Sequence, residues 1–295
     1  MPETKKARLK RRGVAHPGFG EGISPPPPPV CGGGGGETLP CVSLEPGTVP
    51  WPGLLLEALA QSRIRAAYQP IVTLTPPRTM VGEEALVRLV TTEGAVIPAG
   101  AFIAAAHTAG LVPALDEVVL TETLARCVAW TGPPRLYFIN VSTALLTAPD
   151  RLDALIRAVV PGGRCRTDDP YLRSVVFEIT ERELLSDLAA VRKALNPLLD
   201  AGVRLALDDF GSGYSSFLYL ADLPVSFLKI EQALIRRLGR DRRVTVMVAA
   251  VTRMAADLGI TVIAEGIESA RVAREVRALG IPWGQGYYFG RPGWG

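Results

Sequence analysis

The sequence predicts a TIM-like α/β barrel of the (β/α)8 type at residues 51–295, behind a low-complexity segment at residues 1–50. Two observations carry this prediction. Eight short apolar runs typical of strands alternate with longer segments of helical periodicity, which is the rhythm of a parallel α/β fold. Polar side chains recur near the ends of the strand runs, where barrel enzymes have their active sites. An open, doubly wound sheet would give a similar alternation and stays an alternative.

The first 50 residues contain two homopolymer runs, Pro25–Pro29 and Gly32–Gly36. Polyproline favours an extended chain and polyglycine a flexible one, so neither is expected to pack into a core. The basic residues near the start lack spaced apolar partners, and we interpret this segment as a disordered, solvated tail. The folded domain is expected to begin near residues 50–53, where helical spacing starts at Leu54, Leu55, Ala58 and Leu59.

The predicted strands, in order, are Arg65–Gln69, Met80–Val87, Leu136–Val141, Val175–Ile179, Val203–Leu207, Phe227–Ile230, Thr261–Ala264 and Gly284–Phe289. The predicted helices between them are Ala101–Ala109, Leu115–Trp130, Arg151–Val160, Leu184–Ala201, Arg242–Leu258 and Ala270–Leu279. Four glycines are placed to end helices: Gly110, Gly202, Gly259 and Gly280. The segment Gly162–Pro170 is interpreted as a surface excursion.

Composition excludes several classes of protein. Although 48% of the residues are hydrophobic, no apolar run approaches the roughly 18 residues that a membrane span requires. The net charge is +3, of which the first 50 residues contribute +2 (six basic minus four acidic). The near-neutral remainder gives no support for binding a nucleic-acid polymer. Four cysteines without a C-x-x-C pair and only two histidines disfavour a zinc site or a disulfide framework and suit a cytoplasmic protein.

Polar residues fall inside or directly after seven of the strand runs. They are Glu84, Asn140, Glu178, Asp208, Asp209, Lys229, Glu265 and Gln285. Burying one isolated charge in such a run costs several kcal/mol unless it is paired or bound to a metal. We therefore expect these side chains to converge at the carboxyl ends of the strands as an active site, rather than to form independent structural pairs.

The expected ligand set is hard, with carboxylates and one amide but no thiolate and no imidazole. Such ligands suit Mg²⁺ or Mn²⁺ and disfavour zinc or copper. Several carboxylates around one centre would repel one another. Two divalent ions, typically about 3.5 to 4 Å apart, would offset this repulsion and clamp a phosphodiester between them.

Several polar residues lie in distinctive motifs. The longest is Asp208–Ser216, with the sequence DDFGSGYSS, and another is Glu84-Ala85-Leu86 with Arg88. Further segments are Tyr68–Ile71, Asn140–Ser142, Glu178–Glu181, Ala264–Glu268 and Gln285–Tyr287. Together they resemble, in order, the motifs of the EAL domain family of cyclic di-GMP phosphodiesterases, which is named after its Glu-Ala-Leu signature. The resemblance covers residues 54–292.

The resemblance implies a role for each matching residue. Glu84, Asn140, Glu178 and Asp208 would bind one metal, while Asp209 and Glu265 would bind a second, with Asp208 shared. Lys229 would hold or deprotonate the attacking water, with a pKa lowered by the two cations, and Glu84 and Glu265 would complete the catalytic set. The residues expected to contact substrate or complete its pocket are Gln69, Leu86, Arg88, Glu268 and Gln285. Glu181 would anchor the loop at residues 208–216, which helps to form a dimer interface in this family.

The activity implied is direct hydrolysis of cyclic di-GMP to linear pGpG by a water molecule, with two metal ions and no covalent enzyme intermediate. Three positions depart from the family's usual pattern, and none is a proposed metal ligand. Glu231 replaces an Asp, Leu89 follows Arg88 where the family often has Trp, and His107 stands where it often has Glu. The longer Glu231 side chain could displace a contact at the pocket mouth, and His107 is interpreted as structural.

Two other functions are considered. A catalytically weak EAL domain would act as a cyclic di-GMP receptor or protein-interaction module, but the retained metal ligands favour hydrolysis. A metal-dependent lyase or isomerase barrel of the enolase type also combines acids with a strand-end lysine, and the Asp208–Ser216 motif argues against it.

Overall fold

The protein's structure, a computed structural model, describes residues 49–148, 150, 151, 153, 172–184, 188–211 and 216–294. Within these ranges the strands are β1 Ile64–Thr73, β2 Met80–Val90, β3 Val96–Pro98, β4 Leu136–Asn140, β5 Val175–Thr180, β6 Arg204–Phe210, β7 Val225–Ile230, β8 Thr261–Ala264 and β9 Trp283–Gln285. The α-helices are α1 Trp51–Ala60, α2 Ile103–Thr108, α3 Val112–Ala129, α4 Thr143–Leu146, α5 Glu181–Leu184, α6 Leu188–Asp200, α7 Ser216–Asp222, α8 Gln232–Ile235, α9 Arg242–Asp257 and α10 Ala270–Ala278.

Eight strands close into a barrel, in the order β1-β9-β8-β7-β6-β5-β4-β2 and back to β1, while β3 pairs with the end of β2 outside the ring. This confirms the barrel and excludes the open doubly wound sheet. The barrel is mixed rather than all-parallel, because β1 runs antiparallel to both β2 and β9. The link between β1 and β2 comprises only residues 74–79, too few for the crossover that parallel strands require.

The last strand ends earlier than predicted. The sequence predicts Gly284–Phe289, but β9 ends at Gln285. Gly286 then turns the chain at φ +152°, and a Cβ at this position would lie 2.2 Å from the Ile267 carbonyl oxygen. Close backbone approach at a glycine therefore stops the strand.

The predicted helices are found wherever the structure describes them, with ends shifted by a few residues. The prediction for Arg151–Val160 lies largely outside the described residues, as do residues 1–48 and the proposed excursion at Gly162–Pro170. All four terminating glycines have positive φ: Gly110, Gly202, Gly259 and Gly280. This conformation suits glycine at the end of a helix. In the part of the chain that is described, no helix is both long and apolar enough to cross a membrane.

The barrel interior is divided along its axis. Its amino-terminal part is filled by a buried apolar cluster that includes Phe138 of β4 and Phe227 of β7. Their rings meet edge to face at 5.1 Å, and Trp283 of β9 stacks on Phe227 at 5.4 Å. Because side chains alternate along a strand, the inward residues that follow this layer lie at the carboxyl ends of the strands.

Candidate active site

The polar residues that the sequence singles out form the inner layer directly above this apolar cluster. Six of the eight follow a residue of that cluster, or Trp283 packed against it, by two positions, so each points to the same side of its strand. The pairs are Phe138 and Asn140, Val176 and Glu178, Ala206 and Asp208, Phe227 and Lys229, Ile263 and Glu265, and Trp283 and Gln285. The strand ends therefore bring the predicted side chains together at one face of the barrel.

Lys229 lies at the centre of this layer and is fully buried. Its Nζ lies 2.8 Å from Glu265 Oε1, 2.9 Å from Glu178 Oε1, 3.3 Å from Glu84 Oε1 and 3.4 Å from Asp208 Oδ1. One ammonium group thus contacts four carboxyl groups, more acids than a single positive charge can compensate.

The carboxylates form two groups that share Asp208. In each group, one oxygen per residue lies within 4.8 Å of the others. The first group is Glu84, Glu178 and Asp208, and the second is Asp208, Asp209 and Glu265. Asp209 has φ +55°, a left-handed conformation that Asp adopts more readily than most residues. Its backbone N–H donates to Asp208 Oδ1 at 2.9 Å, and this bend helps adjacent carboxylates to share a group.

Burial dominates the protonation of these acids. It raises the pKa of Glu265 to about 8 and that of Asp209 to about 6, with the charge of Asp208 adding to both effects. Burial also holds the pKa of Glu178 well above its usual value, although Lys229 opposes it. At Glu84 the opposing effects of Lys229 and a hydrogen bond from Gln285 outweigh burial, so its pKa is lowered.

The pKa of Lys229 differs from the expectation. Burial alone would lower it, but the surrounding carboxylates outweigh burial and hold the pKa well above its usual value. A lowered pKa is expected for Lys229 beside two cations, whereas the charges that face Lys229 here are those of Asp208, Glu178, Glu265 and Glu84. Without cations the lysine is therefore an ammonium ion that donates hydrogen bonds.

The donor set fits hard divalent cations. Carboxylate oxygens from four strand ends surround one region, their combined charge exceeds that of Lys229, and no described side chain there offers sulfur or imidazole. Asn140 is also present, but its Nδ2 donates to Glu84 Oε1 and Glu178 Oε2, both at 3.2 Å. Binding a cation would need the amide oxygen on that side, which a half-turn of the amide plane provides.

Two of the residues predicted to contact substrate, Gln69 and Gln285, lie next to the carboxylate cluster. Gln285 Nε2 donates to Gln69 Oε1 at 3.0 Å and to Glu84 Oε2, while Gln69 Nε2 donates to the Gly290 carbonyl. Gln285 Oε1 is buried and accepts no hydrogen bond from the described residues. Leu86 and Arg88 follow Glu84 at two-residue steps along β2 and so share its face, nearer the end of the strand.

Two predicted residues lie outside the acidic layer. Glu268 is about half exposed, and its Oε1 accepts hydrogen bonds from Arg236 at 2.6 Å and Gln232 at 3.3 Å, so it links the segment after β8 to α8. Glu181 is buried at the start of α5. Residues 212–215 are outside the described ranges, so its role as a loop anchor stays a prediction.

Sequence reasoning missed Asp116, an acid on α3. Its Oδ2 accepts the backbone N–H of Ser142 at 2.9 Å, two residues beyond Asn140. Burial raises its pKa to about 6 against the effect of this hydrogen bond. The sequence does show that this acid directly follows Leu115, a core residue of the predicted helix. That position is the one feature from which Asp116 could have been singled out.

Fold and site together define a mixed α/β barrel with an acidic centre suited to divalent cations at the carboxyl ends of its strands. Residues 54–292 match the sequence model of the EAL domain. The chain therefore belongs to the EAL domain family, which confirms the resemblance found in its motifs and argues against an enolase-type barrel.

Known relatives agree with this assignment. Cyclic di-GMP phosphodiesterase PA2567 of Pseudomonas aeruginosa is 32% identical over 76% of this chain and 38% of the relative. Signaling protein YkoW of Bacillus subtilis is 31% identical over 81% of this chain and 29% of the relative. This chain thus spans about a third of the length of the curated relatives that it matches.

Solved structures share the fold. The PaMucR phosphodiesterase in complex with c-di-GMP has a TM-score of 0.72 and 30% identity, with 83% of this chain and 97% of that chain covered. A manganese and c-di-GMP complex of Klebsiella pneumoniae BlrP1 has a TM-score of 0.66 and 30% identity, with 78% of this chain and 56% of that chain covered.

Proposed function

We propose that this chain is a cyclic di-GMP phosphodiesterase that hydrolyses its substrate to linear pGpG with the help of two divalent ions, Mg²⁺ or Mn²⁺, and so lowers the level of a second messenger. The observation that carries the proposal is the pair of carboxylate groups that share Asp208. A receptor that only bound the nucleotide would have no need of two adjoining acidic groups, because buried acids are costly without cations. The relatives named as phosphodiesterases provide independent support.

The ions would be held by the chain's own oxygen ligands. Glu84, Asn140, Glu178 and Asp208 would hold one, and Asp208, Asp209 and Glu265 the other. Bound there, such ions would neutralise phosphate charge and make a water molecule more acidic. Their binding would also offset the burial that raises the pKa values of Glu265 and Asp209 and the repulsion from Asp208 that adds to it.

Lys229 would hold the attacking water by a hydrogen bond from its Nζ. Its raised pKa in the cation-free site means that it could accept a proton from water only after the charge of the four carboxylates is compensated. Glu84 and Glu265, which contact Nζ at 3.3 and 2.8 Å, would orient the lysine in either role.

The remaining residues would position the dinucleotide. Arg88 would contact a phosphate, since its guanidinium group suits phosphate oxygens. Gln69 and Leu86 would lie near a guanine. Gln285 would complete the inner wall with its Oε1, which accepts no hydrogen bond within the described part of the chain. Glu268 would act from the rim through its ion pair with Arg236 next to α8.

Product analysis tests the activity directly. Purified chain would be incubated with cyclic di-GMP and Mg²⁺ or Mn²⁺, and pGpG would be separated by chromatography. We expect product from the wild type and from Asp257→Asn, which alters an exposed carboxylate at the end of α9, and a loss of product from Glu84→Ala and Asp208→Ala. Bound cyclic di-GMP without product in the wild type would instead favour the receptor function.

Two features of the working protein follow from the family and remain part of the proposal. We expect a homodimer that uses the loop at residues 208–216, anchored by Glu181, and size-exclusion chromatography with light scattering would detect it. We also expect the protein to act in the cytoplasm, which fractionation of expressing cells would test.

A further inference from the structure

The ends of β4 and β5 are held in the same way. On β4, Asn140 is followed two positions later by Ser142, whose backbone N–H donates to Asp116 Oδ2 at 2.9 Å. On β5, Glu178 is followed two positions later by Thr180, whose N–H and hydroxyl donate to Glu183 Oε2 at 3.4 and 3.2 Å. Each of these two strand ends is thus held by a carboxylate bonded to its backbone.

The arrangement on β4 is the tighter of the two. Val141, between Asn140 and Ser142, donates its N–H to the Glu178 carbonyl at 3.1 Å. Ser142 begins α4, and its Oγ accepts the N–H of Leu145 at 3.3 Å. The backbone after Asn140 is therefore fixed by β5 on one side and by Asp116 of α3 on the other.

An ionised carboxylate at Asp116 is energetically unfavourable because little solvent surrounds it. It lies on α3 in largely buried surroundings, where burial raises the pKa of its carboxyl to about 6. At neutral pH it is mostly ionised, and an ionised acceptor makes a shorter and stronger bond to an N–H group than a neutral one does. The fold thus accepts a partly buried charge and gains a rigid strand end beside the acidic layer.

We propose that Asp116 is a positioning residue for the metal centre, which acts through the Ser142 backbone to hold Asn140 beside Glu84 and Glu178. The inference rests on the proposed metal-assisted function. Residues that orient a metal ligand without binding the metal themselves typically contribute about 10- to 100-fold to metal affinity. Displacing a site group by about 1 Å can also cost on the order of 100-fold in rate.

Glu122 provides a matched control on the same helix. Its Oε2 accepts the backbone N–H of Ala66 at 2.8 Å, so it too ties α3 to a barrel strand by a carboxylate. Ala66 lies in β1 and adjoins no proposed metal ligand. Glu122→Ala therefore removes a bond of the same kind without disturbing the strand end that carries Asn140.

The test measures Mn²⁺ binding to the full chain by calorimetry without substrate, and turnover of cyclic di-GMP separately. We expect Asp116→Ala to weaken Mn²⁺ binding by about 10- to 100-fold and Glu122→Ala to leave it within about twofold of the wild type. Asp116→Asn keeps a neutral acceptor for Ser142, so we expect an intermediate loss of about fivefold. If Asp116→Ala does not fold, Asp116→Asn carries the comparison.

Wild-type Mn²⁺ affinity in the Asp116 variants that fold, or an equal loss in Glu122→Ala, would overturn the positioning role. A wild type that binds Mn²⁺ but forms no pGpG would end the proposed hydrolysis while leaving the Mn²⁺ comparison decisive for Asp116. A wild type that binds no Mn²⁺ would overturn both.

Discussion

Glu83 and Glu84 are neighbours on β2 with similar burial, at 9% and 6% exposure, yet their surroundings are opposite. Glu83 faces outward, where Arg126 lies 3.2 Å and Arg135 3.1 Å from its oxygens. Glu84 faces inward and shares Lys229 with three other carboxylates. One step along the chain thus separates a region with more cations than acids from a region with several acids and one cation.

The difference shows how to distinguish structural from functional burial of charge. Around Glu83 two guanidinium groups face one carboxylate, and the guanidinium group of Arg135 also lies over the Trp130 ring at 3.4 Å. The acid there is therefore fully compensated by cations. Around Glu84 the acids exceed their partner, and burial raises the pKa values of Glu178 and Glu265. Unbalanced buried charge of this kind is typical of sites that bind a cation or perform chemistry.

The largest effect is expected from replacing Asp208, the acid that the two carboxylate groups around Lys229 share. We expect Asp208→Asn to reduce cyclic di-GMP turnover on the order of 1,000-fold, because several kcal/mol of metal-assisted stabilisation would be lost. Its cation-free stability should be unchanged or higher, since one of the repelling charges is gone. The measurements are product chromatography and urea unfolding in EDTA, and retention of a tenth or more of wild-type turnover would contradict the assignment.

A substitution at Glu83, on the outer face of β2, should lower stability and leave turnover unchanged. Glu83→Gln leaves the buried charge of Arg135 without its partner, so we expect it to lower the free energy of unfolding by about 3 kcal/mol. Turnover per folded molecule should stay within about twofold of the wild type, because Glu83 faces away from the site. Urea unfolding and an assay corrected for folded protein would check this. A folded but inactive variant would show that the two regions are coupled.

Asp116 extends the comparison to a partly buried acid that accepts a backbone hydrogen bond. Its pKa of about 6 lies above its usual 3.8, so the folded state binds the proton more tightly than the unfolded state does. The resulting stability is fully present below about pH 4 and is lost as the pH rises through about 6. Between about pH 4 and 7, the wild type should lose about 2 kcal/mol relative to Asp116→Asn, as followed by urea unfolding in EDTA. Parallel stability curves would refute the shift.

The smallest effect is expected at Glu231, which begins α8 without a side-chain hydrogen bond to the helix. Asp is a preferred residue at the start of a helix because its shorter side chain can accept a backbone N–H there. We therefore expect Glu231→Asp to raise the free energy of unfolding by about 0.5 kcal/mol while turnover changes by less than about tenfold. Thermal unfolding and product assays would test this, and a larger gain in turnover would mean that Glu231 displaces a group at the pocket mouth.

Much of the fold could be predicted because its strands are short apolar runs with clear ends, as at Thr261–Ala264, where the predicted and observed bounds coincide. The candidate site could be predicted for a related reason, since an acid such as Glu178 within an apolar strand run is conspicuous. The antiparallel direction of β1 does not follow from the alternation of strands and helices, which suggests that all strands are parallel. It follows from the short link between β1 and β2, which leaves no room for the crossover that parallel strands need.

Other features depend on partners that sequence order does not reveal. Asp116 lies on a helix, and its contribution depends on meeting the Ser142 backbone 26 residues further on. Val96–Pro98 is too short to show a strand pattern, and it pairs with β2 through a hairpin. The pKa of Lys229 depends on whether carboxylates alone or cations as well surround it, which no local pattern specifies.

The antiparallel position of β1 between β2 and β9 also orders events during synthesis. A ribosome releases residues 64–73 before residues 283–285, so one edge of that strand has no barrel neighbour until the later segment emerges. Tyr68 pairs with Gly293 later still. A nascent chain lacking these residues would expose two strand edges, which invite association with other chains. The ring, and with it the Gln69–Gln285 contact between its first and last strands, is therefore completed only after residues 283–285 have been synthesised.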